Sequence, residues 1–235
     1  MMSSISSFVL SKPSLLNSII LARRLFAVWY TRDAADIVRD RAKLPAVKAL
    51  EGSAECRAID PAYALRDSLS CNNHFGYQST SKVYPLAYAW SRTADFSAPL
   101  ITDAIPSERM PSAKEFDVPM VTLIDHINEG VSGHLGLIHG GMTTVIAHSS
   151  MSLVAALNAP GTQIVPKTLN MDYRRPIRTG HFVKIHAWLY EKSRIPASAQ
   201  GAPDAAVMKA AVHFYNLRDE LLVEAVSDIL VSNRS

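Results

Sequence analysis

The spacing of apolar positions changes character three times along this chain. Over residues 33–50, Ile37, Leu44, Val47 and Leu50 recur at helical intervals among Arg, Lys and Asp, which predicts a solvated amphipathic helix interrupted at Pro45. Over residues 51–119 no period survives. Pro61, Pro85, Pro99, Pro106, Pro111 and Pro119 are scattered among aromatics such as Tyr63, Tyr88 and Trp90. Proline lacks a backbone donor, so this stretch reads as an extended arm with short helical turns and no long helix or central strand. From residue 118 onward the pattern is that of strands, at 118–127, 163–175, 181–191, 205–217 and 221–231. Val183, Ile185, Ala187 and Leu189 alternate on one side of the third of these, and Met208, Ala210, Val212 and Phe214 on one side of the fourth. Residues 193–204, with Pro196, Gly201 and Pro203, read as a surface loop.

Between the first two strands lies Gly133-His134-Leu135-Gly136-Leu137-Ile138-His139-Gly140-Gly141, followed by residues 142–157, which contain no Asp, Glu, Lys or Arg. The apolar residues of 142–157 surround the helical circumference, and a helix with no water-facing side has to be enclosed. At roughly 24 Å it is short for a membrane span. The glycines before it are placed to present free N–H groups at its positive end. Short connections make successive strands antiparallel. The pattern therefore predicts an α+β fold, an antiparallel sheet wrapped around one long buried helix, with an N-terminal helical and extended arm. The expected division is 1–32, a candidate targeting or membrane-surface segment; 33–117, helix and proline-rich arm; and 118–235, the sheet-and-helix domain.

Composition adds limits. A net charge of +3 over 235 residues gives no footing for nucleic acid, and two cysteines make neither a disulfide framework nor a zinc set. No His or Cys spacing of a metal motif occurs. Residues 1–32 carry Lys12, Arg23, Arg24 and Arg32, abundant serine and no acid. That is the composition of a mitochondrial transit peptide, and also of an N-terminal helix lying on the domain or on a membrane surface. The localisation expected is cytoplasmic or mitochondrial.

His139-Gly140-Gly141 opening a buried helix, followed by Leu169-Asn170-Met171-Asp172-Tyr173-Arg174-Arg175-Pro176-Ile177, resembles the hot-dog-fold acyl-CoA thioesterases. It is most similar to the phenylacetate-pathway and thioesterase-superfamily-member-4 type, and the arm around 99–119 is similar to that of fungal members. The resemblance covers about residues 118–231. It implies a thiolester hydrolase without cofactor, acting on an acyl-CoA or carrier-bound acyl thioester held between the protomers of a homodimer or tetramer. It further implies that the amide of Gly141 and its neighbours polarises the thioester carbonyl, at roughly 3–4 kcal/mol per donor. An acid nine positions after the motif histidine and a threonine early in the next strand would complete the site.

This chain departs at both side chains. His148 stands at the acid position, and the threonine position falls on Pro166, with Thr168 two residues on and on the same strand face. Gly141, Thr144, His148 and Ser152 share one stripe of the helix, along which the pocket is expected. His148 fits a general base, or a buried histidine bonded to Thr144 or Ser152 whose pKa burial would lower. Ser149 is a candidate nucleophile beside it, although adjacent helical residues point apart. His139 joins His148 and Gly141 in the catalytic set as the residue that shapes the loop. Gly140, Thr144, Ser149, Ser152, Thr168, Asn170, Arg174 and Arg175 form the expected substrate-binding set. Arg174 and Arg175, with Arg178, Lys192 and Arg194, would meet CoA phosphates or form a solvated edge. Two further readings stand beside hydrolysis: a hot-dog dehydratase or cyclase-type tailoring enzyme of polyketide or secondary metabolism with His148 as base, and a non-catalytic binding protein. If residues 1–32 target mitochondria, deleting them from a fluorescent fusion abolishes mitochondrial localisation; unchanged localisation refutes the transit reading.

Overall fold

The computed structural model describes residues 34–59, 85–90, 121–160, 162–195 and 205–232, with the backbone alone at 191–195 and 205. The candidate targeting segment 1–32 lies outside the described residues. Residues 33–50 give two helices, α1 (Ala34–Ala42) and α2 (Pro45–Glu51). Pro45 opens the second, where a missing N–H breaks no intrahelical bond. The strands are β1 (Cys56–Ile59), β2 (Leu86–Trp90), β3 (Val121–His126), β4 (Ser132–His134), β5 (Leu137–Ile138), β6 (Gln163–Pro166), β7 (Asn170–Tyr173), β8 (Phe182–Ile195), β9 (Ala205–Tyr215) and β10 (Leu221–Ser232). The buried helix, α3 (Gly140–Asn158), begins inside the glycine motif and so takes in two residues more at its start than the apolar pattern indicated.

Eight strands make one antiparallel sheet in the order β1-β2-β3-β8-β9-β10-β6, with β7 also on β10. The proline-rich arm was expected to supply no central strand, yet β2 pairs with β1 on one side and β3 on the other. Pro85 immediately precedes β2 and none falls within it. Prolines here bound the strand and leave its ladder intact. β8 also runs to Ile195, past the expected start of the surface loop at 193.

The two alternating rows pack as their period requires. Val183, Ile185, Ala187, Leu189, Met208, Ala210, Val212 and Phe214 are buried in one cluster with Ile146, Ala147, Met151 and Val154 of α3. By length and composition α3 is apolar enough to cross a membrane; here most of it is buried in the fold. On the other face of the sheet, Ile37, Val47 and Leu50 of α1 and α2 pack on Tyr88, Ile124 and Phe182.

The expected strand 163–175 is broken. Pro166 pairs with Ile229 and Asn170 with Val226, so residues 167–169 oppose only Ser227 and Asp228. One extra residue makes a β-bulge. Asp228 secures it, accepting from Lys167 N–H at 2.8 Å and from Thr168 Oγ1 at 3.1 Å, and donating its own N–H to Thr168 Oγ1 at 3.0 Å.

The sheet face away from α3 also carries His186 edge-on to Tyr215 at 5.4 Å and Trp188 edge-on to His213 at 4.7 Å. His186 Nε2 is sealed from water without a partner among the described residues. Burial, then Lys184 and His213, push the His186 pKa down to about 4 from 6.5, against a smaller opposing effect of Asp219. Burial also lowers His213, although Glu224 beside it pulls the other way. Between pH 6.5 and about 4 the unfolded chain binds protons that folded His186 refuses. Stability is therefore full above pH 6.5 and declines as pH falls through that window, by at most about 3 kcal/mol from this residue. His186→Phe should flatten the fall of the urea midpoint between pH 7 and pH 4.5; an unchanged slope refutes the assignment.

Candidate functional site

The site begins at a hairpin. β4 and β5 pair across Leu135-Gly136, with Gly136 at φ 76° and Leu135 86% exposed at the tip. The hairpin crosses the helix entry so closely that a Cβ at Gly133 would lie 2.9 Å from the His139 Cα, so only glycine fits. The N–H of Ile138 donates to the Ile177 carbonyl at 3.1 Å, and that of His139 to the Val131 carbonyl at 2.9 Å.

His139 is the N-cap of α3. Its extended backbone (φ −69°, ψ 133°) lets Nδ1 accept the Gly141 N–H at 3.0 Å. Its carbonyl accepts from Met142 at 2.9 Å and Thr143 at 3.2 Å. The Gly141 amide, expected to face a substrate, is thus engaged by the motif's own histidine. The Gly140 N–H has no acceptor among the described residues. The Gly140 carbonyl is held from the other side, by Tyr173 Oη at 3.0 Å and Thr144 Oγ1 at 3.1 Å.

A cleft of 520 Å³ opens at this end of the helix, with Gly133, His139, Gly140, Thr143, Tyr173 and Arg174 in its walls. Of the expected residues it gathers His139, Gly140, Arg174 and Arg175; Gly141, Thr144, His148, Ser149, Ser152, Thr168 and Asn170 are not part of its walls. The pocket was expected along the Thr144–His148–Ser152 stripe. Ser152, however, is only 4% exposed and the Thr144 hydroxyl is spent on the Gly140 carbonyl, so space opens at the helix end instead.

His148 is half-buried, and burial lowers its pKa from 6.5. Among the described residues it has no hydrogen-bond partner, so neither Thr144 nor Ser152 holds it. It sits eight residues beyond Gly140, about 12 Å along the helix axis. Ser149 Oγ is buried without a partner among the described residues. Thr168 lies in the bulge, where the same-face relation to Pro166 does not hold and its hydroxyl is bound to Asp228. Asn170 is exposed on β7 opposite Val226.

The basic residues divide into two kinds. Arg174 meets Glu224 at 2.8 Å and Asp172 at 2.7 Å, and Arg175 meets Glu220 at 3.1 Å. Arg178 and Arg218, with no acidic partner among the described residues, border a second cleft of 490 Å³ that shares Arg175 and Pro176 with the first. The side chains of Lys192 and Arg194 lie outside the described residues. No group of three or more His, Cys, Asp or Glu is placed to hold a metal ion among the described residues.

Two residues of the site escaped the sequence reading. Tyr173 belongs to the motif, but its hydroxyl's reach to Gly140 depends on β7 lying beside the helix end. Thr143 is 1% exposed, its hydroxyl lacks a partner among the described residues, and it forms part of the cleft wall. Its signal was the i, i+3 spacing from Gly140, which the more evident polar stripe through Thr144 obscured.

Residues 135–195 match the family model of the thioesterase superfamily. No curated protein matches the sequence. Similar solved structures include a thioesterase superfamily protein at 14% identity, covering 46% of this chain and 50% of that one, with a TM-score of 0.37. This chain therefore spans half the length of that relative. A thioesterase from Haemophilus influenzae shares 18% identity over 48% of this chain and 72% of that one, TM-score 0.40. A Streptococcus mutans protein solved with acetyl-CoA shares 15% over 49% and 84%, TM-score 0.40. The stretch 135–195 thus matches the thioesterase superfamily, and the antiparallel sheet packed on one long helix is the hot-dog fold that the sequence resemblance implied.

Proposed function

We propose that this chain hydrolyses an acyl thioester, with acyl-CoA as the substrate, at a site shared by two copies. The observation that carries this reading is the unengaged Gly140 N–H in the cleft wall, at the positive end of an uncharged helix and inside the stretch that matches the family. A thioester carbonyl oxygen placed there gains negative charge as water attacks its carbon. A preorganised donor favours that charge. The attacking water gives a proton to a base, the C–S bond breaks, and the thiolate takes a proton, leaving carboxylic acid and thiol.

His148 is the base in this scheme. Its lowered pKa keeps it neutral and able to accept a proton. Proton transfer works over roughly 3 Å, however, and His148 lies about 12 Å along the axis from the Gly140 of its own helix. The two act on one carbonyl only if His148 comes from a second copy. Half-exposed Tyr173 on β7 and the protruding Leu135 supply surface for such a contact. Arg178 and Arg218 beside the main cleft suit the phosphates of CoA. A second reading, a dehydratase-type reaction on the same fold, draws on one fact: His148 stands where the family has an acid and is not held by any described residue.

The test is thiol release from an acyl-CoA panel. Wild type releases thiol, and His148→Ala loses about 100-fold or more in kcat. Because the neutral imidazole is the active form, kcat/KM falls as pH drops through a pKa below 6.5. Gly140→Pro removes the N–H at a position where helices accept proline and loses about 100- to 1,000-fold. No release with any chain length overturns hydrolysis, and dehydration of a 3-hydroxyacyl thioester would install the second reading.

A further inference from the structure

The strongest unexplained group near the cleft is the hydroxyl of Thr143. A buried hydroxyl without a partner costs free energy in the folded protein, and helix threonines ordinarily avoid this by bonding the carbonyl four residues back. Ser150 does so with Ile146 at 2.8 Å. Thr143, 1% exposed, does not, even though the carbonyl of His139 is its own N–H's acceptor at 3.2 Å. Its residue forms part of the wall of the 520 Å³ cleft, as does Gly140 three positions earlier. Side chains on a helix lean toward its N-terminus, and residues three apart share a face. The Thr143 side chain is therefore directed toward the end of the helix where Gly140 lines the same cleft.

We infer that Thr143 is a second donor to the substrate carbonyl oxygen, completing with the Gly140 N–H a two-point cradle for the charge that develops there. This rests on the thioesterase reading and deepens it by naming a catalytic residue the motif does not reveal. The acceptor for this hydroxyl is the substrate carbonyl oxygen itself. Thr144, one position on, is unavailable for the task, being bound to the Gly140 carbonyl at 3.1 Å.

Thr143→Val keeps the shape and removes the hydroxyl; Thr143→Ser keeps the hydroxyl. The expected result is a fall in kcat of about 100-fold in Thr143→Val with KM little changed, and recovery of most of that loss in Thr143→Ser. Removing an unsatisfied hydroxyl should leave the urea midpoint of Thr143→Val equal to or above that of wild type. Binding of S-acetonyl-CoA, which offers a carbonyl but no cleavable thioester, separates this inference from the hydrolase reading. If wild type binds it without hydrolysing thioesters, binding weakened about tenfold in Thr143→Val and kept in Thr143→Ser still supports the cradle. Unchanged kcat and unchanged binding in Thr143→Val overturn it. So does a Thr143→Val protein of lowered stability whose activity loss Thr143→Ser fails to restore, or a wild type that neither hydrolyses nor binds.

Discussion

The rest of the molecule depends on one constraint: α3 has no side that tolerates water. A helix of this kind can persist only when it is enclosed, and the long antiparallel strands β8, β9 and β10 supply the covering rows. Enclosure has an electrostatic consequence as well. With no charged side chain on the helix, the field at its start is set by backbone dipoles. The glycine motif, the His139 cap and the Tyr173 hydroxyl all serve to fix where that field meets the cleft.

What the sequence made legible follows from what sets each feature. The rows Val183–Leu189 and Met208–Phe214 were readable because burial against a helix imposes period two, and nothing local competes with it. The helix was readable for its lack of charge. β2 was not, because a proline at its doorstep is a local signal while pairing on both sides is a property of distant partners. The break between β6 and β7 was hidden for a related reason: a bulge is defined by the count of residues on two strands, and only one of them is visible at a time.

The site was legible as a neighbourhood and less so atom by atom. Motif residues His139 and Gly140 line the cleft. Which amide is free turned on the direction of one imidazole ring, and sequence carries no record of that. The arginines show the same limit. Their number marked a basic region, but Glu220, Glu224 and Asp172, spread over two strands and a turn, pair with Arg174 and Arg175 and leave Arg178 and Arg218 without an acidic partner among the described residues.

The bulge at 167–169 bears on how the sheet meets other chains. β6 and β7 both pair on β10 and form the sheet's margin at that end among the described residues. A straight margin offers its unpaired amides and carbonyls to any extended peptide, which invites indiscriminate association. Here the extra residue throws the two halves of the margin out of phase, and Asp228 pins the offset. A generic strand laid along it could follow one half or the other but not both. The irregularity therefore interrupts the row of unpaired amides and carbonyls that an extended peptide would follow.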